Sequence, residues 1–170
     1  MPIPIMIKTS HSHPLRIDSV QPRGVPGIIG MTFCPGKKQQ GAMSGGEWDR
    51  DLGVDIEALR QWGCTALLSL IEDHEIEELK IQDVAEQLHA KIVYYRLPIV
   101  DGFIPDAQGE EMWDRIGPNL RRRLANGERI VIHYKGGSAE PASLQLAFSS
   151  SSERTRKVQS VESELHVMER

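Results

Sequence analysis

The sequence predicts an α/β fold, in which a mostly parallel central sheet is flanked by helices. Short apolar runs alternate along the chain with segments of helical periodicity, and this alternation is typical of α/β sandwiches. The chain has 170 residues, of which 39% are apolar and 26% charged, as in an ordinary globular domain with a substantial core.

Four segments predict the strands of the sheet. "GIIGMTF" at 27–33 is bounded by glycine and by "CPG". "TALLSLI" at 65–71 is a continuous apolar run, as expected for a strand covered on both faces. "KIVYYRLPI" at 91–99 ends at a proline, and "RIVIHY" at 129–134 is the last convincing strand.

Three segments predict the helices. From Glu47 to Trp62 the apolar residues recur at helical spacing, and Gly63 stops the run. Residues 72–90 predict a helix in two pieces, with Asp73, His74 and Glu75 near its start. Asp106 can cap a third helix that runs to about Ala125. Residues 1–26 predict an extended N-terminal arm.

Composition limits the binding partners and the cellular location that we expect for the protein. The net charge of −4 gives no reason to expect nucleic acid or an acidic membrane as partner, and no apolar run reaches the ~20 residues of a membrane span. The N-terminal stretch lacks the basic region of a signal peptide. Cys34 and Cys64 form no close pair in sequence, so we expect buried thiols in a reducing cytoplasm.

The predicted sheet places three loops together. In parallel sheets, ligands lie beyond the carboxyl ends of the strands, where the loops after Ile71, Ile99 and His133 should meet. A glycine-rich turn after the last strand can bind an anion through successive backbone N–H groups, and an aspartate in a neighbouring loop can protonate a leaving group. The pattern therefore favours phosphoryl chemistry.

These motifs resemble a known family. "LPIVDGFIPD" at 97–106, followed by a helix and then "RIVIHYKGG" at 129–137, is similar to the acid loop and phosphate loop of the cysteine-dependent protein-tyrosine and dual-specificity phosphatases. The nearest resemblance is to the cyclin-dependent-kinase-associated phosphatase group and its bacterial relatives. The upstream segments "GMTFCPGKK" and "LLSLIEDHE" are also similar to bacterial members.

The resemblance implies a role for each matching residue. Asp101 matches the general acid, and the start of the phosphate loop matches four residues: His133, Lys135, Gly136 and Gly137. The nucleophilic cysteine falls on Tyr134 and the phosphate-binding arginine falls on Glu140. A phenol has a pKa of about 10, against about 8.5 for a thiol, and Glu140 replaces a bidentate cation with an anion. We therefore expect no activity from the chain as written.

The sequence departs from the family after Gly137. The family requires a long buried helix there, whereas residues 138–170 form an aberrant polar tail with four consecutive serines. One base lost in the Gly137 codon is compatible with a neighbouring frame that encodes "LGRTGKLAARLLVELG", the missing loop and helix. This frameshift hypothesis leaves Tyr134 unexplained. Without that helix, we expect residues 27–137 to form a partial phosphatase-like domain of low stability.

Two functions remain open from the sequence. The first is a protein-tyrosine or dual-specificity phosphatase domain, inactive as written, whose ancestral reaction hydrolyses phosphomonoesters through a phosphocysteine. The resemblance implies that such a domain uses neither metal nor cofactor, and that its substrate is a phosphorylated protein or a small phosphomonoester. The second is a non-catalytic pseudophosphatase that binds a protein partner.

Overall fold

A computed structural model of the chain describes residues 4–41, 46–88, 91–99 and 107–136, all within one compact unit that spans Met1–Ala139. Several expectations fall wholly or partly outside these ranges, among them the acid loop with Asp101, the helix cap at Asp106, Gly137, Glu140 and the tail 138–170. Among the helices of the described part, none is both long enough and apolar enough to span a membrane.

The described chain contains a five-stranded sheet with the order β2-β3-β8-β6-β7. Its strands are β2 (Asp18–Val20), β3 (Ile28–Phe33), β6 (Cys64–Ser69), β7 (Val93–Arg96) and β8 (Arg129–Tyr134). All neighbouring pairs are parallel except β2 with β3. The four strands predicted from the sequence are therefore present and form the parallel part of the sheet.

A second, smaller sheet has the order β1-β5-β4 and comprises β1 (Ile7–Lys8), β4 (Lys38–Gln39) and β5 (Glu47–Asp49). These strands have only two or three residues each. Such short strands carry no detectable period, and their pairing is decided by distant segments rather than by local propensity.

The helices are α1 (Leu52–Trp62), α2 (Asp73–Glu78), α3 (Val84–Leu88) and α4 (Ala107–Ala125). Asp51 caps α1 by accepting a hydrogen bond from the Val54 N–H, and Gly63 ends it in the left-handed conformation. The helix that the sequence predicts from Glu47 begins five residues later, at Leu52, because Asp51 caps it. Residues 47–49, which include the half-buried Trp48, form β5 instead.

One side of the sheet is packed by α1 and α3. Leu59 of α1 and Val84 of α3 share a buried cluster with Leu67 and Val131 of the central strands. Ile130 and Ile132 alternate with Val131 and are also fully buried, so β8 is covered on both faces. Helix α4 contacts β8 and contributes buried Trp113, Leu120 and Leu124. The chain thus forms an α/β sandwich, as predicted.

The N-terminal segment differs in detail from the predicted arm. Its described part, from residue 4, contains β1 and β2, and β2 extends the main sheet at the β3 edge. Arg50 anchors this segment by donating to the carbonyls of His13, at 2.6 Å, and Thr9, at 3.5 Å. The segment pairs through backbone groups, which its proline-rich sequence does not reveal.

Candidate functional site at the carboxyl edge of the sheet

The carboxyl ends of β6, β7 and β8 lie together, as the sequence predicts. The Leu70 N–H donates to the His133 carbonyl at 3.0 Å, which joins the segments after β6 and β8. The Leu97 N–H donates to the Ser69 carbonyl at 2.8 Å, and the Ile99 N–H to the Leu70 carbonyl at 2.9 Å. The chain that leads towards Asp101 therefore enters this edge, although the position of Asp101 itself lies outside the described residues.

A polar row crosses the main sheet just below this edge. Thr32, His133, Ser69 and Arg96 are register partners on four adjacent strands, so their side chains project from the same face. Thr32, Ser69 and His133 are buried, and among the described residues the side chains of Thr32 and His133 have no hydrogen-bonding partner of good geometry. Burying polar groups is costly, so these strands give up part of the hydrophobic stabilisation that apolar side chains would provide here.

His133 is neutral at physiological pH. Its complete burial lowers its pKa to about 4, with Arg96 acting in the same direction, and the nearby Tyr134 backbone offsets only part of this effect. The resemblance places His133 directly before the nucleophile, and in the structure His133 is a fully buried residue of β8.

Tyr134 ends β8 at the position that the resemblance gives to the nucleophile. It pairs in register with Phe33 and is half-buried. Burial, and then the charge of Asp18, raise the pKa of its phenol above the ordinary value. The hydroxyl group is therefore protonated at neutral pH and is a poor nucleophile.

Lys135 is held by acidic residues of α2. Its amine lies 3.1 Å from Glu78 Oε2 and 3.7 Å from Glu75 Oε1. Burial alone would lower the pKa of Lys135, but the hydrogen bond and charge of Glu78, together with Glu75, outweigh it and raise the pKa. Glu75 was among the acidic residues that the sequence places near the site. Glu78 was missed, although it lies one turn further on the same helix face.

Lys37 is a functional candidate that sequence reasoning missed. It is 4% exposed, and its amine lies 4.2 Å from the centroid of the Trp48 ring and 3.2 Å from the Lys135 carbonyl oxygen, to which it donates. A signal did exist in the sequence. In the predicted parallel sheet, "CPGKK" after β3 and "YKGG" after β8 fall at the same edge.

A buried ion pair supports the turn that carries Lys37. Arg50 binds Asp55 through two hydrogen bonds of 2.8 Å each, and both side chains are almost completely buried. Asp55 Oδ2 also accepts from the Gly36 N–H at 2.8 Å. The carboxylate thus connects α1 to the turn after β3.

The backbone at position 136 favours glycine. Its φ of +134° is unfavourable for other residues, and a Cβ there would lie 2.6 Å from Lys37 Nζ. Of the predicted phosphate loop, the structure therefore brings together His133, Tyr134, Lys135 and Gly136. Gly137 and Glu140 lie beyond the described part.

The two cysteines are both free and buried. Cys34 follows β3 at the same edge, and its burial raises its pKa strongly; burial also raises the pKa of Cys64, to about 11. Neither thiol has the low pKa of a catalytic cysteine. Within the described ranges, no group of three or more histidine, cysteine or acidic side chains could hold a metal ion.

Comparison with solved structures identifies the architecture. The chain is similar to a crystal structure of kinase associated phosphatase in which the catalytic-site cysteine is substituted by serine. The TM-score is 0.65 at 20% sequence identity, over 79% of this chain and 72% of that one. The chain has a cysteine phosphatase-like fold.

Comparisons by sequence add no family to this result. No protein-family model matches the chain, and no curated protein does either. The structural likeness confirms the predicted fold class, and a fold of this kind can carry many different activities.

Proposed function

We propose that the chain is a phosphatase-family domain, of the protein-tyrosine or dual-specificity type, that does not catalyse phosphomonoester hydrolysis as written. The ancestral reaction passes through a phosphocysteine, with Asp101 as general acid and a loop from His133 to Glu140 around the phosphate. Its substrates are phosphorylated proteins or small phosphomonoesters, and it needs no metal or cofactor. We place the protein in the cytoplasm, in keeping with its two free thiols.

The observation that carries this proposal is Tyr134 at the end of β8. The fold is that of a cysteine phosphatase, and the residue after buried His133 is a half-buried phenol with a raised pKa. A phenol cannot supply the thiolate that attacks phosphorus, and its ring takes up room that the phosphate would need. Glu140, at the position of the arginine, would repel the dianion.

An aryl-phosphate assay tests the proposal. We expect no turnover of p-nitrophenyl phosphate that is sensitive to iodoacetate, because Cys34 and Cys64 are buried with raised pKa values. Matched Cys34→Ser and Cys64→Ser variants should behave like the unmodified chain. Clear turnover that iodoacetate abolishes, and that either serine variant loses, would place the active site elsewhere.

A non-catalytic pseudophosphatase that binds a protein partner is the second candidate. It is favoured by the packed core of the described residues, in which Leu67, Leu68 and Val131 are fully buried. A sharp, cooperative thermal melt without aryl-phosphate turnover would favour this binding module. A broad transition with aggregation would instead indicate a damaged enzyme domain.

A further inference from the structure

Lys37 occupies an unusual environment for a lysine. It lies in the turn after β3, and its amine rests over two aromatic rings, at 4.2 Å from the Trp48 centroid and 5.2 Å from the Phe33 centroid. Contacts of this kind attract an ammonium group to the ring face. Arg50 lies over the same two rings, at 4.8 Å from Phe33 and 5.9 Å from Trp48.

The same amine contacts the loop that follows β8. It donates to the Lys135 carbonyl at 3.2 Å, and it lies 2.6 Å from the position that a Cβ of residue 136 would take. Lys37 and Lys135 are separated by 98 positions in the sequence. One side chain therefore joins the turn after β3 to the two described residues beyond Tyr134.

The charged groups around Lys37 do not neutralise it. Among the described residues, no carboxylate lies within ion-pair distance of its amine, and the groups that face it are Lys8 of β1, Cys34, Arg50 and Lys135. Asp55, the nearest acidic residue of α1, already binds Arg50 and the Gly36 N–H. Burial lowers the pKa of Lys37 to about 8; the Cys34 thiol opposes this effect, and Arg50, Lys8 and Lys135 add to it.

We propose that Lys37 is a positioning residue for the loop after β8, and that gain or loss of its proton shifts the Lys135–Gly136 backbone. As an ammonium, it is attracted to the Phe33 and Trp48 rings and donates to the Lys135 carbonyl. As a neutral amine, it loses the attraction to the rings, and the contact with the loop weakens. This inference stands apart from the proposed function, because it requires neither turnover nor phosphate binding.

Nuclear magnetic resonance can follow the loop directly. The Hα and Cα resonances of Gly136 involve no exchangeable proton, so they can be recorded from about pH 6 to about pH 10. We expect them to shift with a midpoint near pH 8, together with the Cε resonance of Lys37. The pKa of His133 is about 4, and the pKa values of Cys34, Tyr134 and Lys135 are raised above their ordinary values, so these four groups do not account for a midpoint near pH 8.

Three variants separate positioning from simple packing. Lys37→Met keeps most of the length of the side chain but removes its charge, and should abolish the shift of Gly136. Lys37→Arg keeps the charge over the whole range, and should hold Gly136 near its low-pH resonance. Lys38→Met, at the neighbouring lysine paired with Asp49, should leave the titration of Gly136 unchanged.

The outcomes decide the proposal in either direction. A constant Gly136 resonance while Lys37 titrates in the unmodified chain would overturn it. So would an unchanged Gly136 titration in Lys37→Met. If Lys37→Met does not fold, the unmodified chain and Lys37→Arg still give the answer, because a Gly136 titration that persists in Lys37→Arg would overturn the proposal.

Discussion

Tyr134 differs from a cysteine in properties that matter for phosphoryl transfer. Its phenol is larger than a thiol, and its raised pKa leaves it protonated at neutral pH. The residue that precedes Tyr134 in β8, His133, is buried and neutral. The local surroundings of Tyr134 therefore contribute no cationic imidazole that would stabilise a nucleophilic anion at that position.

Replacing this residue alone should not create an enzyme. We expect Tyr134→Cys to remain at least about a hundredfold below a cysteine phosphatase in aryl-phosphate turnover, because under the proposed assignment Glu140 occupies the position of the arginine that stabilises the transition state. Steady-state kinetics with p-nitrophenyl phosphate measure this difference. Tyr134→Phe, which supplies no thiol, is the matched control. Turnover close to that of the family from Tyr134→Cys alone would contradict our interpretation of Glu140.

At the scale of elements, the Arg50–Asp55 ion pair connects several short segments of the chain. Arg50 directly follows β5 and binds the carbonyl of His13, whereas Asp55 lies in α1 and binds the turn after β3. Three elements and the N-terminal segment therefore share one buried ion pair. Removing one member leaves the other charged, buried and unpaired.

We expect Asp55→Asn to lower the free energy of unfolding by about 3–5 kcal/mol, the usual cost of breaking a buried pair from one side. Asp51→Ala, in the same helix start, removes only the capping bond to Val54 and should cost about 1 kcal/mol. Urea unfolding monitored by circular dichroism compares the two variants. Similar losses in both would show that the ion pair contributes little beyond an ordinary cap.

The main strands could be predicted from sequence, and the small sheet could not. β6 and β8 are buried runs of several apolar residues, so composition alone locates them. β4 and β5 are short and half-exposed, and Trp48 in β5 continues the helical spacing of α1 by coincidence. Lys37 and Arg50 were missed for a related reason: their partners are distant in sequence, and no local pattern indicates which buried cation meets which carbonyl.

At the scale of the whole molecule, His133 links stability to pH. Its folded pKa of about 4 is below the ordinary 6.5, so the unfolded chain binds a proton that the folded chain excludes between these values. The stabilisation from neutral His133 is therefore fully present above pH 6.5 and is lost as the pH falls towards 4. The shift corresponds to about 3 kcal/mol.

We expect the stability of the unmodified chain to fall more steeply between pH 6.5 and 4 than that of His133→Asn. Urea midpoints at several pH values measure both slopes. His74→Asn, at an exposed position, should retain the steep slope, because it leaves His133 buried and unchanged. Parallel curves for the unmodified chain and His133→Asn would show that folding does not lower the pKa of His133.

The frameshift hypothesis also makes a prediction for the whole chain. A helix of about 15 residues with five or six buried apolar side chains contributes on the order of 10 kcal/mol, comparable with the total stability of a domain. We therefore expect a chimera in which "LGRTGKLAARLLVELG" follows Gly137 to melt more sharply and at a higher temperature than the chain as written. Calorimetry measures this, with a scrambled version of the same segment as control. Equal melting of all three, or a gene without a matching single-base loss, would end the hypothesis.

The position of β8 in the sheet has a consequence for synthesis on the ribosome. Among the described strands of the main sheet, β8 comes last in sequence, yet it lies between β3 and β6 in space. Until residues 129–134 have left the ribosomal tunnel, β2–β3 and β6–β7 are two separate ribbons with no hydrogen bonds between them. The chain must therefore wait for a late strand to insert between two early ones, a non-local step that is slow and leaves apolar strand edges open to other nascent chains.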